Sequence, residues 1–220
     1  AILPAWIAFH AGDFEKAAKL GQEYGPGGLS VYCKATCIYA TYLEENEKKK
    51  IAMFEEVANR CEEQQGVTPD DAAVWYWHAY ALGRYAQGIS VVKALAQGMA
   101  KKVKTSLDMT LKLAPKHADA HIAIGSYHAE IIDAVGAMIG GMTYGAKKDE
   151  SLKNFKAALV LNPGSAIARI EYANALLKLD GKKKMDEALR LYEEAAGCEP
   201  VDAMERLDVE LAKAELEDDE

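Results

Sequence analysis

From Leu29 onward the apolar residues recur at helical spacing, in segments separated by Gly, Pro or Asn, and almost nothing alternates with the two-residue period of a strand. The pattern predicts an all-α chain. Proline punctuates it. Pro69, Pro115, Pro163 and Pro200 each follow a helix-like run and precede small or polar residues suited to a helix start, as in Pro69-Asp70-Asp71-Ala72, Pro115-Lys116-His117-Ala118 and Pro163-Gly164-Ser165-Ala166. These prolines mark junctions between repeated units.

Counting back from each proline exposes the unit. At offsets of 12, 8 and 5 residues stand Ala188, Tyr192 and Ala195 before Pro200, Ser151, Phe155 and Ala158 before Pro163, and Val103, Leu107 and Thr110 before Pro115. Small residues at the outer offsets let two helices approach closely, while the large residue between them fills the groove. Pro69 fits less well, with Val57, Cys61 and Gln64 at those offsets.

These features resemble tetratricopeptide repeats over nearly the whole chain. The first-helix signature is seen in Trp75 and Ala79, again in His121, Ile124, Gly125 and His128, and again in Tyr172, Ala173 and Leu176. Near the start, Gly12-Asp13-Phe14-Glu15-Lys16-Ala17 resembles the turn and second-helix opening of the same repeat. The expected fold is an all-α, right-handed solenoid of about five hairpins, two of them with extended helices, as a single domain over residues 1–220. The hairpins are expected at roughly 2–24, 29–65, 70–114, 116–162 and 164–198, with a capping helix at roughly 202–217. The acidic tail Glu217-Asp218-Asp219-Glu220 suits such a cap, and Gly25-Pro26-Gly27-Gly28 reads as a flexible linker.

The spacing departs from the usual repeat of about 34 residues. Pro69 to Pro115 is 46 residues and Pro115 to Pro163 is 48. The excess falls at Gly88–Gln97 and Ile131–Tyr144, and both inserts end alike, in Gly98-Met99-Ala100-Lys101-Lys102 and Gly145-Ala146-Lys147-Lys148. They read as two copies of one extended helix. This elongated variant resembles the TatT-type periplasmic proteins that accompany TRAP transporters and the helical domain of the regulator of microtubule dynamics family. The resemblance implies a protein-interaction or ligand-capturing role.

Two functions are expected from different residues. In the first, a scaffold grips a peptide or protein partner in a concave groove lined by Tyr76, Tyr80, Arg84, Asp119, Ser126, Glu130, Asn174 and Lys178; aromatic and Arg side chains are favoured at binding hot spots. In the same register Trp75 belongs to the core. In the second, the apolar inserts form a pocket for a small apolar ligand, lined by Ile89, Val92, Leu95, Val135, Met138 and Met142, or a contact between copies of the chain. Gly136 and Gly140 are spaced for close helix contact.

Charge and composition narrow the remaining classes. A net charge of −8 argues against nucleic-acid binding, and no apolar run reaches the length of a membrane span. Lysines recur just before or within the start of each second helix (Lys48–Lys50, Lys101–Lys104, Lys147 and Lys148, Lys182–Lys184), where the macrodipole offers them nothing. They read as a solvated rim or, more sharply, as a site for an anionic partner. Cys33, Cys37 and Cys61 read as buried thiols, and His117, His121 and His128 as packing histidines rather than metal ligands. No nucleophile elbow, phosphate loop or dinucleotide fingerprint is present, so neither an enzyme nor a cofactor is expected. Ala1 is not an initiator Met; a cytoplasmic setting is expected, or a periplasmic one if a leader precedes it.

Overall fold

The computed structural model describes residues 2–218; Ala1 and, of the acidic tail, Asp219 and Glu220 lie outside the described residues. Among the described residues the chain forms thirteen α-helices and no strand. They group into two compact units, one running to Pro115 and joined by Asp202–Met204, the other comprising Lys116–Val201 and the residues from Glu205 onward.

In the first unit α1 (Leu3–His10) pairs with α2 (Phe14–Glu23), α3 (Leu29–Tyr42) with α4 (Glu47–Gln65), and α5 (Ala72–Ile89) with α7 (Met99–Leu113), while α6 (Val91–Ala96) bridges the last pair. Polar caps set the starts. Asp13, Asn46 and Asp71 each accept a backbone N–H from the first turn of α2, α4 and α5, satisfying donors that the helix itself leaves free. Asp202 takes the ring Nδ1 of His10 at 2.8 Å.

The second unit repeats the plan. Helix α8 (Ala118–Val135) pairs with α10 (Lys148–Leu161), α11 (Ala166–Asp180) with α12 (Met185–Ala196), and α9 (Ala137–Tyr144) lies between α8 and α10 in the chain; α13 (Ala203–Asp218) follows α12. The residues picked out by the proline offsets form its seam. Ser151, Phe155, Ala158, Ala188 and Ala195 are fully buried, and Tyr192 is 5% exposed. Gly125 shows why the first helix needs a small residue there, because a Cβ added to it would stand 2.6 Å from the Phe155 ring. That ring stacks on Tyr172 at 5.3 Å, linking α10 to the next hairpin.

Two expectations are corrected here. The inserts are not continuous extensions of the first helices. Each opens with a break at positive φ, Ser90 (φ 93°) after α5 and Gly136 (φ 80°) after α8, and closes on a left-handed glycine, Gly98 (φ 75°) or Gly145 (φ 67°). Gly136 is thus a hinge between helices rather than a point of close contact, and only Gly140 packs, near Ile131 and Ala146. The Gly25–Gly28 stretch is likewise no loose linker. It forms one tight 3-10 turn in which a Cβ on Gly28 would meet the Gly21 carbonyl oxygen at 1.9 Å.

Candidate functional site

In each unit, first helices of successive hairpins meet and place polar side chains on a shared, partly exposed face. In the second unit these are α8 and α11. Ser126 and Glu130 stand one turn apart on α8, and Asn174 and Lys178 one turn apart on α11. Lys178 donates to the Glu130 carboxylate, Asn174 accepts from the Tyr192 phenol, and Ser126 Oγ donates to Glu171 Oε2 at 3.3 Å. The face carries one cation, two carboxylates and an amide, all half-buried. Such a surface can offer donors and acceptors to a peptide backbone without first exposing apolar surface.

Sequence reasoning missed Glu171. Its position three residues before Asn174 and seven before Lys178 puts it on the same stripe of α11, and this was the available signal. Asp119 lies in the first turn of α8, exposed and two helical turns before Ser126, at the far end of the helix from Glu130.

In the first unit the corresponding pair is α3 and α5. Thr41 Oγ1 donates to the Cys37 carbonyl at 2.8 Å and therefore accepts from the Tyr80 phenol at 3.0 Å. The Arg84 guanidinium lies 5.4 Å from the centre of the Tyr80 ring, a cation–π contact. Burial raises the Tyr80 phenol above its ordinary pKa, with Arg84 opposing. Tyr76 is only 6% exposed and packs edge-on against Trp77, whereas Trp75 keeps part of its surface and donates its indole N–H to the Pro69 carbonyl. This reverses the expected placement of Trp75. Helix α5 packs against α3, α4 and α7 and is enclosed on most sides, which leaves a narrow outer stripe.

The insert residues do not wall an enclosed cavity. Leu95 is 8% exposed and Ile89 and Val135 are half-buried, while Val92, Met138 and Met142 are 55%, 75% and 84% exposed. The lysine runs are partly neutralised, with Lys50 on Glu47, Lys102 on Glu62, Lys148 on Asp180 and Lys184 on Glu187 at 2.5–2.8 Å. The histidines of α8 fasten helices: His117 Nδ1 caps its start, His121 Nδ1 meets Asn154 Oδ1 at 2.8 Å, and His128 Nδ1 accepts the Lys147 N–H at 3.3 Å.

One cluster has the composition of a hydrolase triad. Ser106 Oγ lies 2.7 Å from His78 Nδ1, and His78 Nε2 lies 3.9 Å from Glu62. Ser106 is 1% exposed and His78 3%, so the hydroxyl is sealed from any substrate, and the group serves packing. Among the described residues no three or more His, Cys, Asp or Glu side chains converge as a metal site, and no helix is long and apolar enough to cross a membrane.

The order of hairpins, the seam in which Gly125 faces the Phe155 ring, and the paired inserts can be set against known proteins. The family model for regulator of microtubule dynamics protein 1-3 matches residues 14–218. The chain belongs to this family. Among solved structures, this regulator of microtubule dynamics family member is similar to the crystal structure of a thermophilic TPR protein of Thermus thermophilus, with a TM-score of 0.66 over 97% of each chain at 16% sequence identity. Its fold is accordingly the all-α, tetratricopeptide-type solenoid expected from the sequence. No curated protein matches the family member's sequence.

Proposed function

We propose that this chain is a protein-interaction domain that grips a partner through the outward polar faces of its first helices, with Ser126, Glu130, Glu171, Asn174 and Lys178 as the principal contacts and Tyr80 with Arg84 as a second patch. The reading is carried by one observation: Glu130 pairs with Lys178 across two helices whose residues are 48 positions apart, and both side chains keep surface toward solvent. A preorganised, half-exposed ion pair loses little conformational entropy when a partner adds a third group to it. The family's name makes microtubules the first partner to try.

Co-sedimentation with microtubules assembled from purified tubulin tests this. The wild-type chain is expected to pellet with the polymer. The double substitution Glu130→Gln with Lys178→Gln, which leaves no unpaired charge, is expected to weaken binding about tenfold while helicity and melting are preserved. A wild-type chain that stays in the supernatant would remove tubulin as the partner, and a double variant that binds as wild type would remove the α8–α11 face.

A further inference from the structure

Cys61 occupies, eight residues before Pro69, the position at which the other units carry Leu107, Phe155 and Tyr192. Those side chains fill a groove between helices. Here the groove is filled differently, by a thiol meeting a thiol: Cys61 Sγ on α4 lies 3.5 Å from Cys33 Sγ on α3, with the two residues 0% and 1% exposed. A sulfur–sulfur bond is about 2.05 Å long, so a further approach of roughly 1.5 Å, within reach of side-chain rotation and a small helix shift, would join them. Both sulfurs are free thiols in this structure.

We propose that Cys33 and Cys61 form a disulfide-forming pair, closed by a small peroxide, which ties α3 to α4 within the second hairpin. Size selects the oxidant. A peptide disulfide such as oxidised glutathione cannot align with a sulfur that has no exposed surface, whereas hydrogen peroxide, little larger than water, needs only a brief local opening of the α3–α4 pair to reach it. One thiolate attacks a peroxide oxygen, so that an S–O bond forms, the O–O bond breaks and the first water leaves. The second sulfur then displaces the hydroxyl of the resulting sulfenic acid, forming the S–S bond and releasing a second water. Two thiols are oxidised by two electrons and lose two hydrogens, and the peroxide is reduced to two waters.

The environment sets the speed. The hydrogen bond to Cys61 and burial push the Cys33 thiol well above its ordinary pKa, which keeps the thiolate scarce. The pair therefore responds to sustained rather than brief oxidation. Each cysteine follows a residue of one cleft of about 280 Å³: Tyr32 and Arg60 line it beside Leu29, Gln22 and Gln64, with the guanidinium 4.4 Å from the centre of the tyrosine ring. Bond formation would clamp that wall.

The experiment uses the full, reduced chain. After exposure to hydrogen peroxide and quenching with catalase, the remaining thiols are alkylated in denaturant and the peptides mapped by mass spectrometry. The expected product is a monomer with Cys33 linked to Cys61, reversed by dithiothreitol, and with a melting temperature raised by about 5 °C or more. A Cys37→Ser chain is expected to form the same link. Half-buried Cys198 serves as an internal clock. Cys33 and Cys61 both recovered alkylated after Cys198 has been oxidised, or a Cys37–Cys61 link in the wild type, would overturn the assignment, and the wild-type map decides even if the serine variant fails to fold.

Discussion

At the scale of single residues, the close approaches carry the account. Gly125 sits mid-helix, where alanine would ordinarily improve helix stability by roughly 1 kcal/mol. The Phe155 ring reverses that sign, because it is fully buried, stacked on Tyr172 and unable to yield to a Cβ at 2.6 Å. Gly125→Ala is expected to destabilise the chain by about 1–3 kcal/mol in urea denaturation; a gain in stability would show that the seam is looser than described. His78 provides a pH test. Burial lowers its pKa below the ordinary 6.5, against the opposing pull of Glu62 and with the help of Lys102, and its Nε2 has no hydrogen-bond partner. The unfolded chain therefore binds this proton more readily than the folded one. Stability is held at neutral pH and is lost as pH falls below about 6.5. The urea midpoint of the wild type is expected to fall more steeply between neutral and mildly acidic pH than that of His78→Gln, and parallel curves would contradict this. Of these two residues only Gly125 was legible in the sequence. Its place followed from repeat register, whereas the burial of His78 depends on Ser106, 28 residues away.

At the scale of elements, the prolines were reliable because each forbids helix continuation at a place where the hairpin must turn, and α7 and α10 end at Leu113 and Leu161, two residues before Pro115 and Pro163. The insert breaks were not legible. Serine is no helix breaker, so nothing at Ser90 announced a residue at φ 93° and ψ 126°, and Gly136, which does the same work at φ 80° and ψ 157°, also fits a close-contact motif. The two breaks predict opposite responses. Ser90→Gly is expected to stabilise by about 1 kcal/mol, because relief of backbone strain outweighs the entropy glycine adds to the unfolded chain. Gly136→Ser is expected to destabilise by a similar or larger amount. Thermal melts check both, and a loss of stability in Ser90→Gly would show that the strain is not there. The candidate face was half legible for a related reason: repeat register assigned Ser126, Glu130, Asn174 and Lys178 to one groove, but the pairing of Lys178 with Glu130 and the addition of Glu171 depend on how α8 packs on α11.

At the scale of the whole molecule, membership of the regulator of microtubule dynamics family and the tetratricopeptide-type fold follow from features distributed along the chain, so no single motif had to carry them. Function is more local. The repeat uses its small and aromatic residues for packing between helices and leaves polar ones on the outer stripe of each first helix, and the proposed interaction depends on those stripes being where a partner lands. Hydrogen exchange read by mass spectrometry, with and without assembled microtubules, tests this most directly. The account predicts slower exchange in peptides covering α8 and α11, residues 118–135 and 166–180, with little change in α6 and α9. Protection confined to the insert helices or to the lysine runs, with α8 and α11 unchanged, would contradict it.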